Sequence, residues 1–248
     1  MRPFPADLHV HSVLSPCADD LMLPQAVVTT AQERGLAIIG IVDHNSAENA
    51  EAFVAAAQGT GLTVIPGLEV TSREEVHVLT LFASADEALE WQEHIYRHLP
   101  PLANDERAFG TQIVVDADDE MKGINERLLI TATDLALTDI VDLVAARGGL
   151  AIPAHVDRTA FGLFGQLGFL PPDLKAPAFE VSRFADPSAS ALVYPSLAGK
   201  RLVQSSDAHF LAEIGVVKTV FWLAEASFAE VRLACLGLGG RGLSTSGR

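Results

Sequence analysis

Short apolar runs rich in Ile and Val recur along the chain, separated by segments with a helical alternation of apolar and polar positions. The runs predict strands at Ala6–Val10, Ile38–Val42, Thr63–Leu68, Val76–Phe82, Leu150–Pro153, Ala178–Val181, Arg201–Gln204 and Thr219–Leu223. Several helices between them have readable ends. Pro24 suits a first helical turn and Gly35 a stop, which brackets Pro24–Arg34. Ser84 with Glu87, and Ser227 with Glu230, have the form of capping boxes, and Asp134 to Arg147 closes on Gly148 and Gly149. Strands alternating with helices predict an α/β fold built on a parallel sheet or barrel. Two stretches break the rhythm. Residues 100–130 read as a β-hairpin or small excursion, and the Gly- and Ser-rich residues 239–248 read as a flexible tail after a single domain over 1–238.

Composition narrows the class. With 248 residues, 49% of them hydrophobic and 20% charged, the chain can bury one large core. No apolar run reaches the roughly 18 residues of a membrane helix, and no signal-peptide pattern opens the chain, so a cytoplasmic protein is expected by default. Cys17 and Cys235 are too isolated to suggest a disulfide framework. A formal charge of −15 argues against a groove for nucleic acid, which is an unlikely partner on this ground, and is compatible with bound divalent cations or with an acidic surface that serves solubility. Oligomeric state is not readable.

The chemistry lies in the histidines. "DLHVHS" places His9 and His11 two apart on one strand, where side chains i and i+2 share a face, and Asp7 points with them. Six of the eight histidines fall at strand ends or within a short strand: His9, His11, His44, His77, His155 and His209. Glu69 ends "VIPGLE", and Asp207 stands two before His209 in a second i, i+2 pair. Side chains distant in sequence converge at strand ends in α/β folds, and gathered histidines and carboxylates form a metal-site constellation. A single histidine of this kind is more often a hydrogen-bonded core residue. Six buried without partners would cost about 1–3 kcal/mol each, in sum comparable to the stability of a domain. His94 and His98, four apart near a helix end, are better read as surface residues favoured by the helix dipole.

The ordered set "DLHVHS", "VDHNS", "PGLEV" followed by "VHVL", "PAH" and "SSDAH" resembles the polymerase-and-histidinol-phosphatase (PHP) family of metal-dependent phosphoesterases over nearly the whole chain. The resemblance implies a distorted seven-stranded (β/α)7 barrel with two or three zinc, manganese or iron ions at its mouth. One ion would be held by His9, His11, Glu69 and Asp207. A second would share Glu69 and take His77 and His155, and a third would take His44, His209 and one further ligand. Cys17 stands at the spacing of a histidine ligand found in relatives, whereas Asp19 fits an aspartate version with a short insertion; Asp19 is preferred. A thiolate at Cys17 would favour zinc, and a small buried hydrophobe is its bland reading.

The implied reaction is hydrolysis of a small phosphomonoester by a metal-bridging hydroxide, since a bound ion can bring the pKa of water down to about 7. Arg158 and Arg183 are candidate phosphate clamps, with surface salt bridging as the alternative. Arg73 can be read as substrate-facing or solvated, the run "FGLFGQLGFLPP" as a lid or as ordinary packing, and Asp43 as orienting a ligand from behind. Three rivals remain. An amidohydrolase would commonly bridge its ions with a lysine, and none of the four lysines ends a strand. A non-catalytic metal-binding module would be expected to lose ligands. A nuclease would share the site, and the acidic composition counts against it.

Overall fold

The computed structural model describes residues 1–245. Its strands are β1 (Arg2–Val10), β2 (Ile38–His44), β3 (Thr63–Thr71), β4 (His77–Leu81), β5 (Ile113–Val115), β6 (Met121–Ile124), β7 (Leu150–Pro153), β8 (Phe179–Val181), β9 (Leu202–Gln204), β10 (Thr219–Leu223) and β11 (Gly242–Thr245). All eight strand expectations are met, with ends displaced by a few residues. Helix α1 (Pro24–Glu33) starts at the expected proline, and α2 (Ala50–Ala56) follows β2. In α3 (Ala85–His98) the Ser84 hydroxyl accepts from the Glu87 amide, as expected of a capping box. Five further helices complete the described residues: α4 (Glu106–Phe109), α5 (Leu137–Ala146), α6 (Leu163–Leu167), α7 (Ser190–Val193) and α8 (Phe228–Leu236), the last capped by Ser227.

The architecture is α/β, but the pairing does not confirm the distorted seven-stranded (β/α)7 barrel. Seven strands form one curled sheet in the order β11-β10-β1-β2-β3-β4-β7, and β8 and β9 pair separately. Only β1, β2 and β3 are parallel neighbours in the large sheet; β10 runs antiparallel to β1, and β4 antiparallel to both β3 and β7. A parallel bridge between Val10 and Ala208 joins the end of β1 to the segment after β9. Consequently β1, β2, β3 and β7 end at one rim, and β4 begins there. Gly40 is required in β2, since a Cβ would lie 2.4 Å from the Leu8 carbonyl oxygen.

Apolar side chains fill both faces of the sheet. Leu8, Ile38, Val42, Ile65, Leu79, Ile152 and Phe221 cluster on one side, and Val28, Ile39, Ile41 and Phe53 under α1 and α2. Trp91, buried in the cluster with Phe82 and Val78, donates its indole N–H to Thr80 at 3.1 Å. No helix among the described residues is long and apolar enough to cross a membrane. Within the stretch expected as a tail, Gly242–Thr245 instead form β11 at the sheet edge; the rest of that expectation, residues 246–248, lies outside the described residues.

The interruption at 100–130 is the two-stranded β5–β6 ribbon plus α4. Buried amides tie it to the rim. Asn49 donates to the Ile113 carbonyl at 3.0 Å and to Ser12 Oγ at 3.0 Å, and accepts from the Val115 amide at 2.9 Å. Asn45 holds the Leu129 and Thr131 carbonyls at 2.7 and 2.8 Å. Asn49→Ala is expected to cost about 1–3 kcal/mol by leaving these groups unpaired, measured by urea unfolding, and to speed amide exchange over Ile113–Val115. Unchanged exchange there would mean that other contacts hold the ribbon.

Candidate metal centre and active site

Glu69 occupies the third-last position of β3, at the rim, and is 1% exposed. Strand register brings its neighbours. His44, the last residue of β2, pairs directly with Glu69, while His77, the first of β4, pairs with Thr71 two residues along the same face. The reversed direction of β4 explains why a histidine that opens a strand meets histidines that close others. Five imidazole nitrogens surround the Glu69 carboxylate: His9 Nε2 at 3.2 Å, His11 Nε2 at 3.5 Å, His44 Nδ1 at 3.1 Å, His77 Nδ1 at 2.8 Å and His155 Nε2 at 3.1 Å. Asp207 Oδ1 approaches His9 and His11 Nε2 at 3.3 and 3.4 Å, and the His209 ring stacks on His11 with centroids 4.2 Å apart.

Hydrogen bonds behind the rings fix which nitrogens carry protons. His9 Nδ1 lies 3.0 Å from Glu180 Oε2, and a carboxylate accepts, so Nδ1 carries hydrogen and Nε2 faces the cluster. Ser15 Oγ donates to Asp43 at 2.6 Å and therefore accepts from His11 Nδ1 at 2.9 Å. His209 Nδ1 donates to the Asp207 carbonyl at 3.0 Å. In their neutral forms His9 and His11 thus confront each other with two Nε2 lone pairs 3.2 Å apart, an arrangement that calls for a proton or a cation between them. Three buried atoms at the rim have no hydrogen-bond partner: His44 Nδ1, His155 Nδ1 and Glu180 Oε1.

The electrostatics have the same sense. Burial opposes charge on His9, but Glu180, Glu69 and Asp207 outweigh it and hold its pKa well above the usual value. Burial, with His209 beside it, pushes His11 well below that value, and burial brings His77 down to about 4 despite Glu69. Burial works against Glu69 as an anion, yet His77 and His9 keep its pKa well below the carboxylate range. A buried anion that requires positive charge, ringed by nitrogen lone pairs, is a donor set that fits divalent transition metals. Three groups have ligand atoms within 4.8 Å of one another: His9, His11 and Glu69; His44, Glu69 and His77; and His11, His44 and His209.

The fold therefore assembles His9, His11, His44, Glu69, His77, His155, Asp207 and His209 at one rim. Two of them carry backbone strain: His155 at φ +27° and Asp207 at φ +52° lie in the left-handed region that non-glycine residues rarely adopt. Asp19 is placed otherwise than expected. Its Oδ1 closes its own turn by accepting from the Leu21 amide at 3.0 Å, and it joins none of the three ligand groups. Cys17, two residues earlier, lines the mouth with His44 and His209 and likewise joins none of the three ligand groups; burial would raise its pKa, but these imidazoles bring it down to about 6.

Arg158 and Arg183 line a cavity of about 280 Å³ beside the cluster, and each already holds a carboxylate. Arg158 Nη1 meets Asp207 Oδ2 at 2.6 Å, and Arg183 Nη2 meets Glu213 Oε1 at 2.7 Å. Arg73 is exposed and pairs with Glu74. The apolar run after His155 divides: Phe161 stacks on His77 at 4.5 Å and forms rim, whereas Leu163 is buried. His94 rests on Trp91, and His98 meets Asp134 at 2.6 Å.

Sequence reasoning missed Glu180, whose carboxylate holds both His9 and, at 3.0 Å, the His155 amide. Its signal was an acid inside the apolar strand "AFEV". Asp43 acts on His11 through Ser15 and also accepts from Ser12 N–H and O–H at 2.7 and 2.6 Å. Asp7 does not enter the cluster. It accepts from Ser206 N–H, Ser206 O–H and Gly215 N–H at 2.9, 2.6 and 2.9 Å, anchoring the segment that carries Asp207, while burial raises its pKa to about 6.

A curled α/β sheet with a buried histidine and carboxylate cluster at one rim has the form of a metal-dependent hydrolase centre. The PHP domain profile matches residues 7–148, and the chain belongs to that family of metal-dependent hydrolases. No curated protein matches the sequence. Among solved structures, the lesion-specific endonuclease PfuEndoQ from Pyrococcus furiosus is similar with a TM-score of 0.77 at 20% identity, over 98% of this chain and 58% of that one. An Endonuclease Q complex with a 27-mer duplex substrate carrying an abasic lesion gives a TM-score of 0.74 at 20% identity, over 97% and 58%. A chain from Bifidobacterium adolescentis assigned as a metal-dependent phosphoesterase gives 0.55 at 17% identity, over 82% and 87%. This chain thus spans 58% of the length of the endonuclease chains.

The fold shared with an endonuclease bound to duplex substrate overturns the expectation that nucleic acid is an unlikely partner. Overall charge describes the average surface, and the rim carries its own arginines.

Glu180→Gln keeps the shape behind His9 and removes the charge. It is expected to weaken binding of the first divalent ion by about 10–100-fold, read by competition with a chromophoric chelator, with little change in thermal unfolding. Unchanged affinity would show that Glu180 supports only the fold.

Proposed function

We propose that the chain is a metal-dependent phosphoesterase that hydrolyses phosphodiester linkages in nucleic acid. The observation that carries this reading is the make-up of the cavity. His155, Asp207 and His209 of the cluster line it together with Arg158, Arg183, Phe184 and Phe210. Phe184 and Phe210 are 76% and 50% exposed, unusual for large apolar side chains beside a polar site. Exposed rings accept stacked bases, each worth about 1–3 kcal/mol, and the Arg183 guanidinium lies 5.0 Å from the Phe184 ring centre.

His9, His11, His44, Glu69, His77, His155, Asp207 and His209 would hold divalent ions, which when bound supply charge neutralisation at the phosphoryl oxygens and a lowered water pKa. Glu180 and Ser15 keep the protons of His9 and His11 on the outer nitrogens. Asp207 divides its oxygens, Oδ1 toward His9 and His11 and Oδ2 to Arg158, so that the guanidinium sits at the edge of the cluster. Glu213 holds Arg183 with one oxygen and the His209 amide with the other, at 2.7 and 3.0 Å. Two oriented guanidiniums beside the reacting phosphate favour the planar, two-oxygen grip that arginine makes.

Endonuclease Q supports this choice by its fold and its duplex substrate. A small phosphomonoester is the second reading, favoured by the cavity of about 280 Å³ and by the net charge of −15. Assays with added manganese or zinc on single-stranded and abasic duplex oligonucleotides, a chromogenic diester and a chromogenic monoester separate the two. Diester cleavage that is abolished by chelator and by His9→Ala is expected. Phe184→Ala should raise KM for oligonucleotides about 10-fold and leave that for the small diester unchanged. Cleavage of monoesters alone would reverse the choice.

A further inference from the structure

We propose that Phe161 is a substrate-holding residue whose ring takes the base on the other side of the reacting phosphate from Phe184 and Phe210, so that the site grips both neighbours of the bond it cuts. The proposal rests on the phosphodiesterase reading above and concerns how that substrate is held.

Two cavities open at the mouth of the cluster. One, of about 280 Å³, carries Arg183, Phe184 and Phe210, and the other, of about 210 Å³, carries Ile130 and Phe161 together with His44, Glu69 and His77. His155, Arg158, Asp207 and His209 line both, so the place the cavities share is the one suited to the reacting phosphate. That division fits a diester. Its phosphorus bears two ester arms that leave in different directions, whereas a monoester has one arm and needs one cavity.

Phe161 is held in the second cavity at a conformational cost. Its φ of +59° lies in the left-handed region, which bulky side chains rarely adopt, and such strain persists only where surrounding contacts outweigh it. Those contacts are present. The Phe161 carbonyl accepts from the His77 amide at 3.0 Å, and its ring stacks on the His77 imidazole at 4.5 Å with 15° between the planes. Gly162, the next residue, has no room for a Cβ against the Arg158 and His155 carbonyl oxygens, and Asp157 anchors the loop by accepting from Ser182 N–H and O–H, each at 2.6 Å. Yet Phe161 stays 36% exposed, while Leu163 two residues on is fully buried. A ring fixed by strain and left open at a cavity is better suited to a ligand than to packing. Ile130 of the same cavity is fixed too, since Asn45 holds the Leu129 and Thr131 carbonyls on either side of it. Apart from the cluster, Arg158 and Cys17, this lining is apolar, so a base here would be held by its face and not read at its edge.

The test uses hexanucleotides with one natural phosphodiester at the centre and uncleavable methylphosphonates elsewhere, either complete or lacking the base on one side of that linkage or on the other. With manganese and the full wild-type chain, removing either base is expected to raise KM about 10-fold. Phe161→Leu, which keeps an apolar side chain against His77, should abolish the effect of removing one of the two bases and retain the other; Phe184→Ala should do the reverse, and Phe161→Trp should restore the wild-type pattern. Phe161→Asn, which tolerates the left-handed backbone, serves in the same way if the leucine variant unfolds. Base effects in Phe161→Leu and Phe161→Asn equal to those of wild type, or a response at the same base as Phe184→Ala, would overturn the proposal and leave the phosphodiesterase reading standing. So would a loss of bound ions, read by chelator competition, with both base effects intact, because Phe161 would then support His77 alone. No chelator-sensitive cleavage of any diester would remove the phosphodiesterase reading and this inference together.

Discussion

One buried carboxylate organises this protein. Glu69 lies near the middle of the sheet, with β2 on one side and β4 on the other, and five imidazole nitrogens lie within 3.5 Å of it. His77 and His155 bond to its Oε1 at 2.8 and 3.1 Å, but His9 and His11 direct their protons outward and face it with lone pairs. Positive charge has to enter, as protons in the metal-free chain or as cations in the working one. The cluster is therefore built for occupation, and its geometry depends on Glu69 staying ionised in a low-dielectric place.

A layer of polar side chains behind the rings keeps that geometry. Glu180 takes His9, Ser15 and Asp43 take His11, and the Asp207 backbone takes His209. Asp7 secures the same loop from below through Ser206 and Gly215. None of these groups has to bind an ion. Their effect is to hold ring planes and tautomers, which is where much of the affinity of a metal site originates. The strained backbone at His155 and Asp207 points the same way, since left-handed residues persist only where surrounding contacts outweigh the cost.

The mixed direction of the sheet accounts for the shape of the mouth. Because β4 runs against its neighbours, a tight hairpin from β3 delivers Glu69 and His77 to one rim without a helical crossover. The rim is then open toward the segments after β8 and β9, which carry Arg183, Phe184 and Phe210, so guanidinium and aromatic groups lie beside the cluster. Two guanidiniums at this mouth make its local charge differ from the net charge of −15.

Much of this was legible in the residue order. All eight main strands, the two serine caps and the eight rim residues from His9 to His209 follow from periodicity and from histidines placed at strand ends, because those signals are local and each residue carries its own chemistry. Strand direction was not legible. Whether β4 runs with or against β3 depends on long-range pairing, and there the barrel expectation is not confirmed. The turn that Asp19 closes on the Leu21 amide was equally out of reach, since spacing measures distance along the chain and not the direction in which a side chain is held. Glu180 escaped notice because its partner is 171 residues away, and only tertiary packing brings a lone acid in an apolar strand against His9.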